Sequence, residues 1–172
     1  TQHHRALCAW RFALRAMKAN AVVFTARNEV VYQEVDCPDP GADDIVVELT
    51  HSWISNGTEG SFLRGERIAG DTPYQDGDPD PFPIVAGYQK VGTVTSVGPE
   101  VDGFEVGETV FATMGAVNGM FSPRGGQISP SIGKAGGIWK LPSGHDPVKF
   151  SGLVLVQVGY NCGARPPVEQ GE

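Results

Sequence analysis

Cysteine is scarce in this chain, and its spacing excludes a good deal. Cys8, Cys37 and Cys162 are odd in number and far apart, with no C-x-x-C pair. Neither a structural zinc lobe nor a redox dithiol is indicated, and reduced thiols in a cytoplasmic protein are the simplest reading. Positive charge is also short. With 13 Lys and Arg against 20 Asp and Glu, the formal net charge is −7. Nucleic acid is excluded as a partner on this ground, because a phosphate backbone needs a basic face. No run of about eighteen apolar residues occurs, so no segment is expected to span a membrane. The G-x-G-x-x-G turn that cradles a dinucleotide phosphate is missing from the whole sequence.

What is present describes a globular β-rich protein. The 172 residues suffice for one domain with a complete core, and 40% hydrophobic with 19% charged content is ordinary for a globular protein. The 23 glycines and 13 prolines punctuate real apolar runs, which points to many short strands and turns. Strands are expected at 20–25 and 29–35, joined at Arg27-Asn28, at 44–51, at 89–97, at 108–113, and in short pieces near 127–132 and 137–141. One or two helical turns are expected at 57–64. Two loops are expected: one polar and acidic at 65–82, the other glycine-rich at 114–126. The acidic run 71–81 lacks the alternating order of a calcium loop, so a solvated surface is the expectation.

The two ends differ from the body. Residues 1–16 carry arginines and no acid, and the first acidic residue is Glu29. A transit peptide has this character, as does upstream sequence carried along with the gene. Met17-Lys18-Ala19 is a natural start directly before the first strand, so 1–16 is expected to be an extension outside the folded unit. At the other end, Asp146 suits an N-cap and Pro147 the first helical position. Val148, Phe150, Leu153, Val154, Leu155, Val156, Val158 and Tyr160 then predict a helix that is apolar nearly all round and ends near Gly163, before Pro166-Pro167.

The segment Pro83-Ile84-Val85-Ala86-Gly87-Tyr88-Gln89-Lys90-Val91-Gly92-Thr93-Val94-Thr95-Ser96-Val97-Gly98 resembles the "PGHE-x-x-G-x-V-x-x-VG" stretch of the medium-chain dehydrogenases and reductases. Phe104-Glu105-Val106-Gly107-Glu108-Thr109-Val110-Phe111 resembles their "F-x-V-G-D-x-V". His51-Ser52-Trp53-Ile54-Ser55-Asn56-Gly57-Thr58-Glu59 resembles their "I-C-G-T-D". The motifs follow in the family's order. The resemblance covers residues 17–172 and implies a mainly β fold: a GroES-like, partly open β-barrel with short helices and a C-terminal apolar helix. It divides the chain into a substrate barrel at 17–145 and, at 146–172, a closing helix and linker leading toward a nucleotide-binding (Rossmann) domain that is absent here. The chain is expected to be the N-terminal part of a longer enzyme using NAD or NADP, inactive alone and with no cofactor bound to this fragment.

The resemblance also implies that the metal has been lost. The ligand Cys falls on Asn56, or on Ser55 in a rival alignment, and the ligand His falls on Tyr88. The third ligand falls near Val154. A neutral amide is a poor zinc ligand and a valine is none, so no catalytic zinc is expected. Hydrogen bonds must then polarise the substrate's carbonyl or activated alkene. Tyr88 and Asn56 are expected to orient the substrate oxygen, with Thr58 assisting at the family's proton-relay hydroxyl position. The alternative for Tyr88 is that its ring only fills the vacated volume. His51, Trp53 and Gln89 are expected to line the cleft, although a lone strand histidine is more often simply hydrogen-bonded and a core or rim aromatic is the default. Glu59 falls on an acid that is structural in the family. Tyr160 and Asn161, near the end of the closing helix, fall on the face turned toward the nicotinamide.

Two functional classes follow. One is the substrate half of a zinc-independent NAD(P)-dependent alcohol dehydrogenase or quinone-reductase-like oxidoreductase, acting on a small alcohol, carbonyl or enone. The Ser55-Asn56-Gly57-Thr58-Glu59 variant also resembles zinc-lacking members that act on larger ring-bearing alcohols. The other is a non-catalytic barrel used for binding or scaffolding. Either way, an apolar helix without its partner domain is expected to drive self-association through residues 148–160, since exposed apolar surface is unfavourable by roughly 25 cal/mol per Å².

Overall fold

The computed structural model describes residues 16–164; residues 1–15 and 165–172 lie outside the described part, and with them nearly all of the N-terminal extension and the C-terminal linker. Two antiparallel sheets dominate. In the first, β1 (Met17–Ala26) lies between β2 (Glu29–Cys37) and the short β11 (Ile128–Ser129), and β6 (Ile84–Val85) also pairs with β1. In the second, five strands run in the order β12 (Ser131–Lys134), β3 (Asp44–Ser52), β7 (Lys90–Val97), β8 (Thr109–Ala112), β13 (Ile138–Lys140). Because β11 and β12 are separated only by Pro130, one strand path passes from sheet to sheet, and the Leu49 N–H donates to Ser129 Oγ at 3.0 Å across the junction. The result is the partly open barrel that the resemblance implied. Every strand pairing among the described residues is antiparallel, so they contain no βαβ unit.

Sequence periodicity explains the core. Along β1, Ala19, Ala21 and Val23 are buried while Lys18 and Asn20 are exposed, the period of two that a half-covered strand requires. These side chains meet Val35 and Cys37 of β2, Val46 of β3, Val85 of β6, and Ile128 and Ile132 in the barrel interior. Ile45 and Val47 pack instead with Val94, Val110 and Ile138 on the opposite face of β3, which is why three consecutive residues there are buried. The β1–β2 hairpin turns at Arg27-Asn28 as expected, with Asn28 in the left-handed region at φ 60°.

Helix α1 (Asn56–Leu63) occupies the expected 57–64. The two expected loops prove partly ordered. Residues 65–82 contain a small hairpin of β4 (Arg67–Ala69) and β5 (Thr72–Pro73), and residues 114–126 contain β9 (Gly115–Ala116) paired with β10 (Arg124–Gly125). These strands are two or three residues long, too short for any periodicity to reveal.

The C-terminal helix starts later than expected. Asp146 does cap, its Oδ1 accepting from the Val148 N–H at 3.1 Å, but it caps a single 3-10 turn, Pro147–Phe150. The chain breaks at Ser151-Gly152, and α2 runs from Leu153 to Ala164. Gly152 lies flat against the indole of Trp53, where an added Cβ would sit 3.2 Å from Trp53 Cδ2. Beyond that contact α2 leaves the barrel, with Val156, Val158 and Tyr160 exposed. No described helix is long and apolar enough to cross a membrane.

Candidate functional site

The site grows from one turn of backbone. At the N-terminus of α1, Ser55 supplies an extended N-cap, but its hydroxyl does not cap the helix. Glu59 does the work instead: its Oε1 accepts from the Ser55 N–H at 2.8 Å. The other carboxylate oxygen, Oε2, accepts from Gln127 Nε2 at 2.6 Å. Glu59 is buried, and burial pushes its carboxyl above the usual carboxylate range, an effect opposed by these two hydrogen bonds.

Gln127 lies on a strip of chain, Gly126-Gln127, pressed against Gly87-Tyr88. An added Cβ on Gly126 would fall 2.3 Å from the carbonyl carbon of Gly87 and from the nitrogen of Tyr88. The N–H groups of Gly126 and Gln127 both donate to the Ala86 carbonyl, at 3.0 and 2.7 Å. This close backbone packing fixes where Tyr88 projects.

Tyr88 and Thr58 line the same cavity, of about 460 Å³. Its walls are mostly apolar, with Phe24, Phe62, Ile84, Met114 and Phe121 prominent, and Ile68 to Asp71 of the β4–β5 hairpin close one side. Tyr88 is half-buried, and its hydroxyl makes no hydrogen bond with any described residue. A phenol without a protein partner can donate to a bound ligand.

The other expected residues separate into two groups. Gln89, expected in the cleft, is instead wholly buried: its Oε1 accepts from the Val154 N–H at 3.1 Å, and its Nε2 has no partner. It secures the start of α2, where an orphan N–H needs an acceptor. Asn56, His51 and Trp53 are exposed and do not line this cavity. His51 is on β3 opposite Val91 and Trp53 covers Gly152. Tyr160 and Asn161 are exposed on α2.

The three positions that the resemblance equates with zinc ligands are nevertheless drawn into one neighbourhood. Gln89, next to Tyr88, bonds Val154, while Ser55, next to Asn56, is tied through Glu59 and Gln127 to the strip packed on Gly87. Their chemistry does not suit a metal: an amide, a phenol and a valine offer no thiolate, imidazole or carboxylate. Among the described residues no group of three His, Cys, Asp or Glu gathers that could hold an ion. Tyr160 and Asn161 do not line the cavity that holds Tyr88 and Thr58.

Sequence reasoning missed three residues here. Lys90, read only as part of a strand, is wholly buried, and its Nζ donates to the Gly126 carbonyl at 3.0 Å. Burial pulls its amine down to about 7. Gln127 and Arg124 sit in the stretch read as loop and short strand, and nothing in the local pattern marked them.

The sequence profile of the alcohol dehydrogenase GroES-like domain matches residues 44–145. Over 95 residues the chain is 35% identical to 2-desacetyl-2-hydroxyethyl bacteriochlorophyllide A dehydrogenase of Cereibacter sphaeroides, covering 55% of this chain and 27% of that protein. The fold matches 2R,3R-butanediol dehydrogenase of Bacillus subtilis with a TM-score of 0.70 at 15% identity, covering 90% of this chain and 49% of that one. It matches Escherichia coli quinone oxidoreductase complexed with NADPH with a TM-score of 0.61 at 18% identity, covering 87% and 41%. The chain thus spans between about a quarter and a half of the length of these relatives.

Proposed function

The chain belongs to the alcohol dehydrogenase GroES-like domain family of the medium-chain dehydrogenases and reductases, and from that premise we propose that it is the substrate-binding portion of a zinc-independent, NAD(P)-dependent oxidoreductase. The observation that carries this reading is the placement of the Tyr88 phenol, free of local hydrogen bonds, with Thr58 in a largely apolar cavity. The substrate is a small or ring-bearing alcohol, carbonyl or enone, as the walls of that cavity favour and as the names of the relatives support.

In this reading the cavity excludes water from an apolar substrate body. The Tyr88 hydroxyl donates to the substrate oxygen, stabilising negative charge as it develops there, which is the task a metal performs elsewhere in the family. Thr58 assists by holding a proton beside that oxygen. Asn56, exposed on the first turn of α1 and outside the cavity lining, takes no part in this step. Hydride transfer belongs to the nicotinamide, which the resemblance assigns to a separate nucleotide-binding domain. The isolated chain is accordingly inactive and binds neither NADH nor NADPH saturably. The exposed apolar side chains of α2, unfavourable in water, associate with a second copy.

Chelation tests the reading. Dialysis of the intact gene product against a strong chelator is expected to leave NAD(P)H-dependent carbonyl or quinone reduction unchanged. Activity lost on chelation and restored by zinc overturns it.

A further inference from the structure

The cavity wall carries four ionisable side chains: Glu59, Asp71, Tyr88 and Arg124. The two acids are satisfied within the protein. Glu59 accepts from the Ser55 N–H and from Gln127, and Asp71 pairs with Arg67. Arg124 is different: it is exposed at the edge of the cavity, and among the described residues its guanidinium pairs with no carboxylate. It also lines the neighbouring cavity of about 310 Å³, so it stands where the two spaces adjoin, beside Met114.

The backbone that carries Arg124 is well secured. Ser122 Oγ donates to the Arg124 carbonyl at 3.0 Å and accepts from the Arg124 N–H at 3.4 Å. The Phe121 N–H donates to the Pro83 carbonyl at 2.7 Å, and β10 is paired with β9. A guanidinium is always charged and presents five donors in a planar fork that matches a carboxylate bidentately. At the exposed rim of a cavity walled largely by Phe24, Phe62, Ile84 and Phe121, with its neighbouring acids already engaged, it offers a cation to a ligand that enters.

We propose that Arg124 is a specificity-determining residue of this cavity, and that the substrate bears a carboxylate on an apolar body. The body fills the aromatic and aliphatic walls while the carboxylate docks on the guanidinium, fixing the end of the molecule that is not presented to Tyr88. This assignment rests on the reading of the cavity as the substrate cleft.

The test uses the full chain and two probes of nearly the same shape, 2-naphthoate and 2-naphthamide, followed by amide chemical shifts at low salt. A charge-assisted bidentate pair is expected to make the naphthoate bind about tenfold more tightly than the naphthamide. R124Q is expected to abolish that preference by weakening naphthoate alone, and R124K, which keeps the charge but loses the fork, to fall between. Equal affinities in the unaltered chain, or a preference that survives R124Q, overturn the role of Arg124 while leaving the cavity as a cleft. If neither probe shifts the amides of Tyr88 and Phe121, the cleft reading fails and this assignment with it.

Discussion

Gln127 and Glu59, 68 residues apart in sequence, are joined by a buried hydrogen bond of 2.6 Å from Nε2 to Oε2. Through it the first turn of α1, which carries Asn56 and Thr58, is fixed to the strip that packs on Gly87 and Tyr88. Two separate motifs of the sequence are thus tied together by a side chain that neither contains. Glu59→Ala leaves both the Ser55 N–H and the Gln127 amide without their acceptor, and is expected to destabilise the fold by about 2–3 kcal/mol in urea unfolding. Glu59→Gln retains an acceptor and is expected to lose less. A loss within error for the alanine variant would show that the bond contributes nothing.

Lys90 makes stability depend on pH. Its folded-state amine is pulled down to about 7 by burial, below its unfolded value near 10.4. Above pH 7 the unfolded chain therefore binds a proton that the folded chain does not. The Lys90 contribution is complete above the unfolded value and is lost as pH falls toward 7, with a slope of up to about 1.4 kcal/mol per pH unit. Cys37, whose thiol is raised by burial and interacts with Lys90, acts in the opposite sense at higher pH. Between pH 7 and 8.5, stability is expected to rise in the unaltered chain and to rise less in Lys90→Met. Parallel profiles for the two proteins would contradict this.

Gly126 has no room for a side chain. Gly126→Ala places a methyl 2.3 Å from the backbone of Gly87 and Tyr88, which cannot yield as the end of a flexible side chain can. A loss of about 1–3 kcal/mol is expected, together with displaced chemical shifts at Tyr88 and Thr58. Unchanged shifts at those two residues would separate the strip from the cavity.

The exposed apolar side chains around α2 are expected to make the chain associate. Val156, Val158 and Tyr160 are 64%, 54% and 72% exposed, and covering them is favourable by roughly 25 cal/mol per Å². Light scattering is expected to show a concentration-dependent increase in mass, suppressed by Val156→Lys with Tyr160→Lys. A monomer at every concentration would contradict self-association.

The architecture was legible where physics is local. Alternation in β1, the two-residue turn at Arg27-Asn28 and the run of β-branched residues before Gly98 each carry their own signal. The Asp146 cap was also legible, but the break after Phe150 was not, because it depends on Gly152 meeting an indole a hundred residues earlier in the chain. The site was legible in part. Tyr88 and Thr58, singled out by the resemblance, line one cavity. Gln89, expected in the cleft, turns inward to Val154 instead, a pairing across 65 residues of sequence. Arg124, Gln127 and the buried state of Lys90 arise from pairings between distant segments, which no single stretch of sequence displays.

The central claim is that a phenol performs the polarising task of a metal. The most direct measurement is kcat/KM for carbonyl or quinone reduction by the intact gene product, before and after Tyr88→Phe, which removes one hydroxyl and keeps the ring that fills the space. The account predicts a fall of about a hundredfold, carried mainly by kcat. A Tyr88→Phe enzyme with undiminished kcat/KM would contradict it.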